Sequence, residues 1–206
     1  MTAQPTVVLV GDSITDAGWR DDLLRLGWGY VRDLASGPLA GCDVVNAGTG
    51  GDRVRDLAER WEHDVLVPMP SLVSVYVGIN DTWRRYDQGD ETSLDAFVDT
   101  YATLLATLGQ RRIPAVLVEP WVLPVTPDQE EWAEDLAPKQ DAVRRLAAER
   151  GAAFVALAEP LRTLAASLGG NELVAPDGVH PTPTGHREIA RLWWEAAGDA
   201  VASLTP

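Results

Sequence analysis

Cysteine is almost absent: Cys42 is the only one in 206 residues. An intramolecular disulfide is therefore impossible, a cysteine metal cluster is excluded within one chain, and packing is the expected role of Cys42. Basic charge is also scarce, with 17 Lys and Arg against 31 Asp and Glu and a formal net charge of -14. Affinity for phosphate backbones comes mostly from Lys and Arg displacing counterions, so nucleic acid is not an expected partner. The pairs Arg84/Arg85, Arg111/Arg112 and Arg144/Arg145 are scattered and make no binding stripe. No apolar run approaches the roughly 18 residues that a membrane helix needs. The opening "MTAQPTVVLVG" also has no basic region ahead of its apolar stretch, so no membrane partner and a cytoplasmic location are expected. A neutral or weakly charged small molecule or oligosaccharide suits this balance, and homo-oligomerisation stays open.

What is present describes one folded domain spanning residues 1–206. Hydrophobic residues make up 46% and charged residues 23%, an ordinary balance for a globular chain, and there is no linker or repeat. Short apolar runs alternate with segments of helical period, the mark of an α/β layered domain. Five runs read as strands: Thr6 to Val10, Asp43 to Asn46, Leu72 to Val77, Ala115 to Glu119 and Ala153 to Ala156. Each is continuously apolar at its centre, as parallel strands covered on both faces must be, so a five-stranded parallel sheet is expected. Helices are expected from Ser93 to Leu108, capped by Ser93 or Thr92 and ended by Gly109, and from Lys139 to Arg150, ended by Gly151. A last helix runs from about Pro183 to Leu204 behind a Thr182 cap. The Pro-rich stretch "EPWVLPVTPDQEEW" after the fourth strand is a long loop, a common place for function.

In open parallel α/β sheets the ligand crevice lies beyond the carboxyl ends of the strands. Gly11-Asp12-Ser13 follows strand one, "NAGTGGD" (46–52) follows strand two and "GIND" (78–81) follows strand three, while "DGVHP" (177–181) precedes the last helix. These segments supply the parts of a serine hydrolase: a nucleophile, a base, a group to orient the base, and donors for an oxyanion. Ser13 is the candidate nucleophile, exposed by a strand-to-helix turn. His180 is the candidate base, since histidine accepts and returns a proton near neutral pH. Asp177, three residues earlier, can hold the imidazole in one tautomer. The backbone N–H groups of Ser13 and Gly51 and the side-chain amide of Asn80 are the candidate oxyanion hole. Of the tryptophans, Trp19, Trp28, Trp83, Trp121 and Trp132 follow strands one, three and four; Trp19, Trp83 and Trp121 are the substrate-binding candidates, because an aromatic face suits the C–H face of a sugar.

These four blocks, "GDSIT", "NAGTGG", "GIND" and "DGVH", resemble those of the SGNH, or GDSL, hydrolase superfamily and occur in the family's order. Beyond them, "SITDAGWR", "LGWGYV", "DRVRDLAERWEHDV" and "GINDTWRRYDQG" are similar to bacterial carbohydrate esterases of the acetylxylan esterase type. The resemblance implies a flavodoxin-like three-layer α/β/α sandwich and a cofactor-free serine esterase that removes O-acetyl groups from sugars, with acetylated xylo-oligosaccharide as the expected substrate. The chain departs from that pattern in a short loop around Asp21 to Gly29 and in Pro176 ahead of Asp177.

Other readings of the same residues stay open at this point. Ser13 can cap a helix, and Asp12 and Asp81 can serve turn amides. The glycines of "NAGTGG" can cradle a phosphate, although neither G-x-G-x-x-G nor a P-loop ending is present. A metal site built from Asp177, His180 and His186 matches no common zinc spacing, and no metal is expected. A lysophospholipase or thioesterase would use the same triad. A flavodoxin-like binding module would use the motif residues without chemistry.

Overall fold

The computed structural model describes residues 4–204. In chain order its elements are β1 (Thr6–Gly11), α1 (Ser13–Asp16), α2 (Tyr30–Ser36), β2 (Asp43–Gly48), α3 (Val54–Trp61), β3 (Leu72–Tyr76), α4 (Ile79–Gln88), α5 (Leu94–Arg111), β4 (Ala115–Val118), α6 (Pro127–Glu130), α7 (Ala133–Arg150), β5 (Ala153–Val155), α8 (Ala158–Leu168) and α9 (Pro183–Ala202). The strands form one parallel sheet in the order β2-β1-β3-β4-β5. This is the expected five-stranded parallel sheet of a three-layer sandwich.

Alternation along β1 divides its side chains between two cores. Val7 and Leu9 face a layer that includes Leu34 of α2, Leu161 of α8 and Trp193 of α9. Val8 and Val10 face the other layer, with Leu57 of α3, Tyr101 of α5 and Leu146 of α7. Burial on both faces explains why the strands read as mostly apolar runs; Ser74, at the centre of β3, is buried with its hydroxyl accepting from Trp193 Nε1 at 2.9 Å. The apolar stripe of α9 is Ile189, Trp193, Ala197 and Val201, and Ala196 is exposed.

Helix boundaries differ from the sequence reading at two places. Gly109 lies inside α5, which continues to Arg111 and ends with Arg112 in the left-handed region at φ 57°. The start of α7 is at Ala133 rather than Lys139, and Pro138 lies within it. Burial of Leu136, with the buried ion pair of Lys139 and Asp135, holds this turn helical despite the proline. Gly151 ends α7 at φ 63°, and Thr182 caps α9 by accepting from the Gly185 N–H, both as expected.

A strand order of 2-1-3-4-5 reverses direction between β1 and β3, the kind of switch point at which ligands bind in open α/β sheets. Ser13 follows β1 and Asn80 follows β3, so the topology sets these two residues on either side of the switch point.

Candidate active site

Backbone packing aims the chain after β1. Gly11 has no side chain because a Cβ there would come within 2.3 Å of the Tyr76 carbonyl on β3. Asp12 caps the four-residue α1 by accepting the Ile14 N–H at 3.0 Å. That settles the capping alternative against Ser13, whose hydroxyl points elsewhere, to His180 Nε2 at 2.8 Å.

His180 comes from a turn that its own acid organises. Asp177 Oδ1 accepts the N–H groups of Val179 at 3.0 Å and His180 at 2.7 Å, and Oδ2 meets His180 Nδ1 at 2.5 Å. A carboxylate only accepts, so Nδ1 donates to it, and Nε2 is left as the acceptor for the Ser13 hydroxyl. Partial burial opposes the charged form of Asp177, but the hydrogen bonds from the His180 ring and from the two backbone N–H groups outweigh it and hold the carboxyl below its ordinary range. The result is a continuous relay from Ser13 through His180 to an ionised Asp177. The acid and base side chains are nearly half exposed, at 47% and 45%.

The three expected oxyanion donors sit after three adjacent strands. Asn80 occupies the first turn of α4 and is buried, and its Nδ2 donates to the Asp52 carbonyl at 3.0 Å. A carboxamide carries two such hydrogens, so this bond fixes the group while the second hydrogen can serve a ligand. Gly51 adopts φ 85°, and a Cβ there would meet nothing within 4 Å. Its glycine requirement is therefore conformational rather than one of crowding. Asp16 and Arg20, which the sequence reading did not single out, hold the turn that leads to it. Asp16 Oδ2 accepts the Gly50 N–H at 3.2 Å, while Arg20 donates to the Gly48 carbonyl at 3.3 Å and the Thr49 hydroxyl at 3.0 Å. Their signal was the stretch "SITDAGWR", in which both stand at helical spacing.

The tryptophans divide sharply. Trp83 lies beside the base, its ring centroid 6.0 Å from that of His180 and 5.5 Å from that of the buried Trp132, on which Tyr86 stacks. Trp19 donates its Nε1 to the Gly48 carbonyl at 2.8 Å and has the Arg20 guanidinium 4.4 Å from its ring centre, so it belongs to the turn after β2. Trp121 is a correction: it is fully buried and hydrogen-bonded to the Tyr76 hydroxyl. The loop after β4 turns this ring into the core, where no substrate can touch it. Trp28 is 61% exposed.

Other titratable groups near the site are structural. Burial pushes the carboxyls of Asp12 and Asp81 up to about 7, against the pull of the N–H groups of Ile14 and Val54 respectively. Asp81 accepts the Val54 N–H at 3.1 Å, the turn-amide role expected of it. Burial, with a smaller push from His180, lowers His186 to about 4; its neutral Nδ1 accepts the Tyr30 N–H at 3.2 Å and so fixes the start of α2. Among the described residues, no group of three or more His, Cys, Asp or Glu side chains is arranged to hold a metal ion. No helix of the described residues is long and apolar enough to cross a membrane.

Comparison with known proteins shows the family. The GDSL-like lipase/acylhydrolase family matches residues 9–188. An acetylxylan esterase of Geobacillus stearothermophilus is 33% identical over 210 residues, covering 93% of each chain. Among solved structures, the acetylxylan esterase Axe2 from Geobacillus stearothermophilus superposes with a TM-score of 0.85 at 30% identity over 94% of each chain. An α/β-hydrolase enzyme from the metagenome of Lake Arreo superposes with a TM-score of 0.83 at 28% identity, over 96% of this chain and 97% of that one.

Proposed function

Because the chain belongs to the GDSL-like lipase/acylhydrolase family and is a carboxylic ester hydrolase, we propose that it removes O-acetyl groups from carbohydrate, acetylated xylo-oligosaccharide being the substrate, through an acetyl-Ser13 intermediate. The observation that carries this reading is the relay of Ser13, His180 and Asp177, with contacts of 2.8 and 2.5 Å. The choice of sugar ester is supported by the likeness to acetylxylan esterases over nearly the whole chain. Solved forms of Axe2 include catalytic mutants in which a serine or a histidine is replaced by alanine, in keeping with a serine–histidine mechanism.

In this mechanism Ser13 Oγ attacks the acetyl carbonyl carbon as its proton passes to His180 Nε2. The carbonyl oxygen becomes an oxyanion and accepts from the N–H groups of Ser13 and Gly51 and from Asn80 Nδ2. The bond from carbon to the sugar oxygen then breaks, and His180 returns its proton to that oxygen. Water repeats the sequence on acetyl-Ser13, and acetate leaves. Asp177 stays ionised throughout and stabilises the imidazolium. Trp83, whose ring lies beside that of His180, supplies an aromatic contact to the sugar in this mechanism.

Acetate release from acetylated xylo-oligosaccharides, measured beside p-nitrophenyl esters of increasing acyl length, tests the substrate. A rate highest for acetyl is expected. A rate that rises through long chains would replace the sugar esterase with a lysophospholipase or thioesterase. No turnover of any ester would return the site to a binding module.

A further inference from the structure

We propose that Gln129 is a positioning residue for the turn that carries Asp177 and His180, and that this position requires a carboxamide. The proposal rests on the triad reading above and adds to it the device that holds the acid and base in register with Ser13.

Gln129 lies in the long loop after β4, on the short helix α6, and only 7% of its surface is exposed. It forms the capping box of α6 with Thr126, the T-x-x-Q spacing being visible in "TPDQ". Its Oε1 accepts the backbone N–H groups of Val125 at 2.8 Å and Thr126 at 3.4 Å. From the other end of the same group, Nε2 donates to the carbonyl of Asp177 at 2.7 Å, across 48 positions of sequence. Two N–H donors on one side and a carbonyl on the other fix which end of the group is oxygen.

The partner turn is shaped to receive this contact. Gly178 sits at φ 84°, and a Cβ on it would lie 2.7 Å from Gln129 Oε1 and 2.8 Å from the Leu123 carbonyl. The Leu123 N–H donates to the Gly178 carbonyl at 2.9 Å. Residues 177 and 178 are thus held through consecutive carbonyls by one loop, leaving the Asp177 carboxylate for His180. The same loop supplies Trp132, which backs Trp83 beside the His180 ring.

A capping box accepts either Glu or Gln at this position. Only Gln can accept from the box and also donate to Asp177, since a glutamate would keep the first contact and set a negative charge against the carbonyl. The chemistry therefore separates a role in folding the loop from a role in aligning the base. Gln140 serves as a control, because it holds the same loop through the Pro120 carbonyl at 2.8 Å and none of its hydrogen bonds reaches the acid–base turn.

The test compares Gln129→Glu, Gln129→Met and Gln140→Met for turnover and KM on p-nitrophenyl acetate, together with thermal midpoint, each rate normalised to sites titrated with a fluorophosphonate. Gln129→Glu and Gln129→Met should lose about 10- to 100-fold in turnover with KM within about twofold, the scale expected when a reacting group is displaced by about an ångström. Gln129→Glu leaves the Asp177 carbonyl without its donor and should lower the midpoint by several degrees while staying folded at the assay temperature, and Gln140→Met should keep turnover. Native turnover in Gln129→Glu, or losses in all three variants that follow their midpoints, would overturn the proposal. Ser13→Ala measured alongside distinguishes the two levels. A dead Ser13→Ala with a fully active Gln129→Glu rejects only the positioning role, whereas an active Ser13→Ala rejects the triad itself.

Discussion

Replacing Asn80 with Ala tests the oxyanion assignment, because an oxyanion donor and a turn residue lose different quantities. The substitution removes the bond from Nδ2 to the Asp52 carbonyl and leaves that buried acceptor without its donor, at a cost of about 1–3 kcal/mol of stability. For a domain of this size each kcal/mol moves the thermal midpoint by roughly 2–4 °C. If Asn80 only shaped the turn, the loss would end there and the folded fraction would turn over normally. As an oxyanion donor it strengthens its bond as negative charge grows on the carbonyl oxygen, so turnover should also fall by about 10² to 10³, or 2.7–4 kcal/mol, with little change in KM. Asn80→Asp sharpens the contrast, since it keeps the shape but sets a carboxylate against the oxyanion and should lose at least as much. The assay is steady-state hydrolysis of p-nitrophenyl acetate at 25 °C, normalised to titrated sites, with melting curves for both variants. Turnover within about threefold of native, or a lowered midpoint that accounts for all lost activity, would remove Asn80 from the site.

Ser13→Ala and His180→Ala should each lose on the order of 10⁴ in turnover or more, with midpoints near native because neither side chain fills the core; native-like turnover in either refutes the relay. Trp83→Ala should raise KM several-fold for acetylated xylo-oligosaccharide and leave p-nitrophenyl acetate unaffected, and equal effects on both would deny it a sugar contact. Asp81 gives a prediction for stability. Its carboxyl is raised to about 7 by burial, so folding takes up a proton and this contribution fades as pH climbs from about 4 through 7. Asp81→Asn abolishes that titration, and its stability relative to the parent should be more favourable at pH 8 than at pH 5.5 by on the order of 2 kcal/mol. A difference independent of pH, read from urea unfolding, would contradict the raised value.

The relay was legible in the sequence although Ser13 and His180 are 167 positions apart. In a parallel sheet the segments after the strands converge on one edge, so polar residues there can be assigned to one crevice before any coordinates are known. The strands were legible for a related reason, since burial on both faces keeps them predominantly apolar. Their last residues were not. Gly11 pairs with Gly48 in the ladder, but two glycines read as turn rather than strand. Trp121 failed because an irregular loop has no period from which to tell inward from outward. The role of Gln129 was hidden because its capping-box signal is local while its partner, Asp177, is brought to it only by the tertiary fold.

The central claim is that Ser13 carries the acetyl group between sugar and water. Rapid quenching during hydrolysis of p-nitrophenyl acetate, followed by intact-mass and peptide mass spectrometry, tests it directly. One acetyl group should be found on the peptide containing Ser13, accumulating within a turnover and absent from Ser13→Ala. Full turnover with no adduct in the parent protein, or the same adduct and rate in Ser13→Ala, would contradict the account.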